Sequence, residues 1–363
     1  MRVLTVVGAR PQFIKAAPVS RILRGAHTEI LVHTGQHYDE AMSATIFREI
    51  EMPAPDVNLA VGSGSHGAMT AEMLRGLEPV IEEHRPDGVL VYGDTNSTLA
   101  AALVAAKASH PDGSRPWLAH VEAGLRSFNR RMPEERNRIV ADHLADLCLA
   151  PTDAAMGNLG HEGLGDRAEL VGDVMADAYR WAASRSAEHL PEVAGGLARY
   201  VLLTLHRAEN VDDHSTFARL AAELRIGLPV IFPVHPRTRA LLASGTVALP
   251  DNVVTTDPVG YLEMVALETS AFAIATDSGG VQKEAYLAGV PCITLRTETE
   301  WVETVSAGWN RVTGLEPGGL AAALADVTFM NRDRPRPQLF GDGRAAERIV
   351  ASLERLDARV RAS

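Results

Sequence analysis

The stretch "AFAIATDSGGVQKEA" (Ala271–Ala285) holds both halves of one structural transition. An apolar run, Ala271–Thr276, has strand character and meets an Asp-Ser-Gly-Gly corner, after which the sequence reads as the start of a helix. Two glycines at such a junction keep side chains away from the first backbone N–H groups of the helix, at the positive end of its dipole. The corner therefore suits an anion, above all a phosphate or pyrophosphate. A plainer reading stands beside it: Asp277 or Ser278 is an N-cap and the glycines make a tight turn. The corner is not a dinucleotide fingerprint, because the first strand runs into "GARPQFIK" (Gly8–Lys15) and not into G-x-G-x-x-G.

The same alternation extends in both directions. "RVLTVVG", "EILVHTG", "GVLVYGD" and "WLAHVEAG" in the first half, and "YVLLTLHR", "PVIFPVH", "NVVTTD", "AFAIATD" and "PCITLR" in the second, are each followed by a helix-like stretch. Runs so continuous in Val, Ile, Leu and Ala fit strands of a parallel sheet covered on both faces, which predicts doubly wound α/β units. A length of 363 residues suits two domains. The expected division is 1–171 and 172–342. A closing helix over about 343–363, with Ala345, Ile349, Val350, Leu353 and Leu356 at helical spacing, would cross back onto the first domain.

Composition excludes some functions. The formal net charge of -11 disfavours sequence-independent nucleic-acid binding. No apolar run is long enough to span a bilayer, and the N-terminus reads directly as a strand, so the expectation is a cytoplasmic protein without membrane partners. Cys148 and Cys292 lie in apolar settings and read as buried thiols. Despite 13 histidines there is no HExxH, no Cys/His zinc spacing and no DxD, so no metal is expected.

Polar residues cluster just after the strands: Arg10 and Lys15, Gln36 and His37, then Asp94, Glu122, His206, His235, Asp277 and Arg296. Ligands of open parallel sheets bind at that carboxyl edge. Two domains each offering one would face each other across a cleft. Strand ends that turn polar to reach solvent account for any one of these residues, but poorly for the set. Arg10 and Lys15 flank a proline at the first strand's mouth, where cations oppose the helix dipole; an anionic partner fits them better than bare exposure. Asp94, Glu122, Glu134, Glu135 and His206 are the candidate acids and bases. Glu134 and Glu135 also read as a solvated helix start after Pro133. Glu284, one to two turns into its helix, could take both hydroxyls of a ribose.

Six segments now carry a resemblance. "VGARPQFIKAAPV", "VYGDTNSTLA", "HVEAGLRSFNRRMPEERNR", "LHRAEN", "PVHPRT" and "TDSGGVQKEA" occur in the order seen in non-hydrolysing UDP-N-acetylglucosamine 2-epimerases, over nearly the whole chain. The resemblance implies two Rossmann-like domains facing across a cleft, as in GT-B glycosyltransferases, a homodimer, and a UDP-sugar substrate with neither metal nor NAD. In that chemistry the C2 proton and UDP leave together to give a 2-acetamidoglucal, and UDP then adds back with a proton on the opposite face. Carried over, Lys15, Asp94, Glu122, Glu134 and His206 look catalytic; Arg10, Arg207, His235, Ser278, Gly279, Gly280 and Glu284 look like UDP-sugar contacts.

The chain also departs from familiar members. "EWVE" replaces "ERPE", so Trp301 stands where an arginine is usual. Phe13 after Gln12, and the "SFNRRMPEE" segment, resemble a branch acting on UDP-2,3-diacetamido-2,3-dideoxyglucuronate. Gln36 and His37 match a site where bacterial members bind an activating UDP-N-acetylglucosamine. Asp39 and Glu72, however, stand where a glutamine and an arginine are usual, and their charge would repel a diphosphate. Weak or absent activation is expected.

Overall fold

The computed structural model describes residues 1–35, 47–243, 245, 247–314 and 316–362. The chain divides into two units, Met1–Ala178 with Phe340–Ser363, and Tyr179–Leu339.

The first unit carries β1 (Arg2–Val7), β2 (Thr28–His33), β3 (Val57–Asn58), β4 (Gly88–Tyr92), β5 (Trp117–Val121), β6 (Leu147–Ala150) and β7 (Ala168–Leu170). They form one sheet in the order β3-β2-β1-β4-β5-β6-β7, parallel at every pairing. Its helices are α1 (Arg10–Ala26), α2 (His66–His84), α3 (Asn96–Ala105), α4 (Pro133–Leu144), α5 (Asp153–His161) and α6 (Val174–Ala183). Every residue of β4 and β5 is buried, as a sheet covered on both faces requires. On one face Leu4, Val6, Val89 and Val91 pack with Leu77 and Ile81 of α2 and with Ala101 and Val104 of α3.

The second unit carries α7 (Ala208–Val211), α8 (His214–Glu223), α9 (Pro236–Ala243), α10 (Tyr261–Ser270), α11 (Gly279–Ala288), α12 (Val302–Ser306) and α13 (Gly319–Ala325). Its strands are β8 (Val201–Thr204), β9 (Val230–Pro233), β10 (Val253–Thr256), β11 (Ala273–Thr276), β12 (Cys292–Thr294) and β13 (Asn310–Val312), in the parallel order β10-β9-β8-β11-β12-β13. Successive strand residues alternate between faces. Leu203, Phe232 and Ala275 meet Phe217 and Leu220 of α8 on one side. Leu202, Ile231 and Ile274 meet Val281 and Ala285 of α11 on the other.

The last helix, α14 (Ala345–Ala362), belongs to the first unit and buries Ala345, Ile349, Val350, Leu353 and Leu356. Trp117 Nε1 of β5 donates to Asp357 Oδ1 at 3.2 Å. The Asp177 carboxylate accepts from the N–H groups of Ala345 (3.1 Å) and Ala346 (2.9 Å), capping the helix start. The division therefore falls inside α6, a few residues beyond the expected junction. Each sheet reverses its strand order once, between β1 and β4 and between β8 and β11. The carboxyl edge at such a reversal is where doubly wound sheets bind ligands. Four short strands, β3, β6, β7 and β13, go unread in the sequence; Cys148 lies on β6.

Candidate active-site residues at two sheet edges

In the first unit the β1/β4 reversal is tied together by Gln12. Its Oε1 accepts from Gly8 N (2.8 Å) and Ala9 N (3.2 Å), and its Nε2 donates to the Tyr92 carbonyl (2.7 Å) and Thr98 Oγ1 (3.0 Å). Lys15, on the first turns of α1, reaches across to form an ion pair with Glu122, which follows β5. Gly93, at φ +62°, turns the chain out of β4; a Cβ there would lie 3.4 Å from Glu122 Oε2 and 3.5 Å from Lys15 Nζ. The pair thus sits against the turn that carries Asp94.

Asp94 pairs with Arg138 of α4. The other arm of that guanidinium reaches Glu135 Oε2 at 2.5 Å. Burial works against the Arg138 charge, but Asp94 and Glu135 outweigh it and raise its pKa. Glu135 is buried and accepts from the N–H groups of Ser127 (3.0 Å) and Phe128 (2.9 Å). Burial pushes its carboxyl up, yet these donors and Arg138 hold it below the ordinary value. Glu135 therefore holds the Ser127–Phe128 loop, while Glu134, half-buried at the second position of α4, is the carboxylate left on the helix's opening turn. Arg10 is exposed at the start of α1.

Glu122 adopts φ +71°. Residues other than glycine occupy that region rarely and at a cost of about 1–3 kcal/mol, and such strain gathers at functional sites.

In the second unit, Asp277 at the end of β11 is fully buried. Its carboxylate accepts from His206 N (3.2 Å), Arg207 N (3.0 Å) and Asn210 Nδ2 (3.0 Å), and the His206 ring places Nδ1 3.2 Å away. Burial pushes Asp277 up, but the His206 ring and the Arg207 N–H outweigh it and hold it below the ordinary carboxylate value. With Nδ1 turned to Asp277, the His206 ring presents Nε2 on its other side, and its side chain is 42% exposed. The exposed His235 sits with its ring centroid 6.0 Å from that of His206.

The N-cap reading of the glycine corner is seen directly. Ser278 caps α11, accepting from Val281 N at 3.5 Å, and of the two glycines at the helix start Gly280 is exposed. The Glu300 carboxylate lies at this mouth: a Cβ on Gly279 would fall 2.1 Å from Glu300 Oε1. Arg296 Nη1 (2.8 Å) and Arg207 Nη2 (3.7 Å) flank Glu300. Burial raises the Glu300 carboxyl, but its backbone hydrogen bond and Arg296 prevail and lower it. Trp301 Nε1 donates to the Gly279 carbonyl at 2.8 Å, and Lys283 Nζ stands 4.5 Å from the Trp301 ring centroid. Glu284 is half-buried on the same helix.

The sequence profile of UDP-N-acetylglucosamine 2-epimerases matches residues 23–354. A Methanococcus maripaludis protein named UDP-N-acetylglucosamine 2-epimerase homolog is 45% identical, over 98% of this chain and 100% of its own. This chain belongs to the UDP-N-acetylglucosamine 2-epimerase family. It is similar also to the UDP-2,3-diacetamido-2,3-dideoxy-D-glucuronate 2-epimerase of Pseudomonas aeruginosa, at 44% identity over 98% of this chain and 100% of that one. The crystal structure of Methanocaldococcus jannaschii UDP-GlcNAc 2-epimerase, in complex with UDP-GlcNAc and UDP, matches with a TM-score of 0.85 and 39% identity, covering 98% of this chain and 99% of that one. The fold is accordingly GT-B-like, and the chain is an epimerase.

Among family features read in the sequence, Gln36, His37 and Asp39 lie outside the described residues. Glu72 is exposed on α2 and pairs with Arg75 at 2.6 Å. Phe13 is buried, with ring centroids 5.1 Å from His33 and 4.8 Å from Phe47. Both cysteine thiols are buried and pushed up to about 12 by that burial. Arg138 escaped the sequence reading although it lies three residues beyond Glu135, the spacing that places two side chains on one helix face. Glu300, Asn210 and His120 lie inside the segments "EWVE", "LHRAEN" and "WLAHVEAG" but likewise escaped the sequence reading.

Proposed function

We propose that this protein inverts C2 of UDP-N-acetylglucosamine to give UDP-N-acetylmannosamine, by elimination of UDP and re-addition. The C2 hydrogen is not adjacent to a carbonyl, so its removal needs simultaneous departure of the diphosphate from C1. A base takes the C2 proton, the C1–O bond breaks toward UDP, and 2-acetamidoglucal forms. UDP then returns to C1 while an acid delivers a proton to the other face of C2. Nothing is oxidised and no water is consumed.

The observation that carries this reading is the carboxylate set at the first unit's sheet edge, Glu122 on Lys15 and Asp94 on Arg138, with Glu134 half-buried on the opening turn of the helix that carries Arg138. Retaining a nucleotide sugar needs no such set; moving a proton on and off opposite faces of one carbon does. Asp94, Glu122 and Glu134 share the proton transfers, and Lys15 and His206 organise the sugar and the diphosphate. Arg10, Arg207, His235, Ser278, Gly279, Gly280 and Glu284 hold the nucleotide, the pyrophosphate on the α11 N-terminus. The enzyme acts as a homodimer in the cytoplasm, with weak or no activation by a second UDP-sugar, and neither metal nor nicotinamide enters the reaction.

A second substrate has specific support: the P. aeruginosa relative acts, by its name, on a diacetamido-uronate, and Trp301 occupies the position of the usual arginine at the α11 mouth. The two sugars are separated by measuring kcat/KM for each UDP-sugar with the purified protein. Faster turnover of UDP-N-acetylglucosamine supports the first reading, and activity confined to the diacetamido-uronate moves the assignment to the second. Release of free sugar and UDP from either would point to a hydrolysing enzyme.

A further inference from the structure

His120 is fully buried on β5 and takes no part in the chemistry above. Its Nε2 lies 2.6 Å from the Gly93 carbonyl and its Nδ1 2.6 Å from Asp142 Oδ1. A carbonyl oxygen can only accept. Asp142 is also an acceptor on its other side, taking Gly124 N–H at 3.0 Å and Arg126 Nη1 at 2.7 Å through Oδ2. Burial pushes Asp142 up, but His120 and Arg126 outweigh it and hold it below the ordinary range. Both ring nitrogens of His120 therefore donate. Arg126 continues the chain to Glu162, at 2.7 Å. Arg126 thus compensates the buried Asp142 carboxylate and ties it to Glu162.

The geometry encloses one residue. Glu122, at φ +71°, lies between His120, whose ring Asp142 holds through one oxygen, and Gly124, whose N–H Asp142 holds through the other. The N–H groups of Glu122 (3.1 Å) and Ala123 (3.2 Å) both donate to the Leu149 carbonyl. The other ring nitrogen of His120 grips the turn at Gly93, next to Asp94. We infer that His120 is a positioning residue: with Asp142 it staples the strained Glu122 backbone and locks that turn to the one presenting Asp94. This rests on the epimerase reading, which assigns Glu122 and Asp94 to proton transfer.

The test combines His120→Asn with Glu122→Gln. His120→Asn is expected to fold and bind UDP within about threefold of wild type, with KM little changed. Its kcat, and its rate of C2 hydrogen exchange in D2O, should fall together on the order of 100-fold, the scale of an ångström's misplacement. The loss in the double variant should fall well short of the product of the two single losses, because His120 acts in large part through that carboxylate. A folded His120→Asn with wild-type kcat, or losses that multiply in the double variant, overturns the proposal. If His120→Asn does not fold, Asp142→Asn is expected to show the same selective loss of kcat, and wild-type kcat there overturns it too. Independently of any variant, 15N-histidine NMR of the unaltered protein should show two slowly exchanging ring N–H groups on one imidazole; only singly protonated buried rings would overturn it. A wild-type enzyme that exchanges no C2 hydrogen on either sugar refutes the epimerase reading instead and leaves the NMR test standing.

Discussion

Lys15 and Glu122, 107 residues apart in the chain, form an ion pair at the carboxyl edge of the first sheet, with side-chain exposures of 15% and 9%. An ammonium held against a strained, nearly buried carboxylate restrains both groups while leaving a small part of each exposed. Glu122→Gln should lower kcat about 100- to 10,000-fold, the range of general acid–base contributions. UDP affinity, measured by calorimetry, should change little. Lys15→Gln should lower kcat as well, and the double variant should fall short of the product of the single losses.

Arg138 couples Asp94 to Glu135, and Glu135 in turn holds the Ser127–Phe128 backbone. Arg138→Lys cannot keep a two-armed contact, because an ammonium offers no planar fork. Its kcat should fall about 10- to 100-fold with the melting temperature reduced by only a few degrees. A kinetic series with Asp94→Asn, in which the two effects are not additive, would identify the Asp94 pairing as the cause.

The α11 mouth makes a narrower forecast. A Cβ at residue 279 meets the far end of the Glu300 side chain, which can swing away. Gly279→Ala should therefore fold normally, within about 1 kcal/mol of wild type, yet crowd the helix N–H groups and weaken UDP binding at least tenfold by calorimetry. Unchanged affinity would place the pyrophosphate elsewhere.

Two buried carboxyls respond to pH in opposite senses. Asp277 has a lowered pKa in the folded protein, so its contribution to stability is present above the unfolded value, about 3.9, and is lost as pH falls through the folded one. Asp277→Asn should cost about 1–3 kcal/mol near neutral pH and flatten the acid limb of the stability curve.

Glu268 behaves in reverse. It is fully buried, with both oxygens outside regular hydrogen-bond geometry among the described residues, although Glu284 and Tyr179 act on it. Burial first, then the Glu284 charge, hold its proton well above the ordinary range. Stability should decline as pH rises above the unfolded value of about 4.3. Glu268→Gln should melt higher than wild type near about pH 8.5 and match it near about pH 4 in a calorimetric series.

What could be read in advance follows from the range of the interactions. The strand-to-helix corners are local patterns, so β8 and β11, and the residues placed at their ends, are legible in the chain. The partners of His120 lie 22 and 27 residues away and gain meaning only once β4, β5 and α4 are assembled. Glu122 looks like any strand-end carboxylate in sequence; its positive φ emerges from the Leu149 and Asp142 contacts that enclose it. Strands such as β3, with two residues, hold too few side chains for a periodic signal.

The central claim is proton exchange at C2 with UDP returned to C1. A proton NMR time course of the purified protein with UDP-N-acetylglucosamine in D2O tests it most directly. Appearance of the manno epimer carrying deuterium at C2, with UDP still attached, is the expected result. Conversion that keeps the original C2 hydrogen, or no conversion and no exchange on this sugar or on the diacetamido-uronate while UDP still binds, would contradict it.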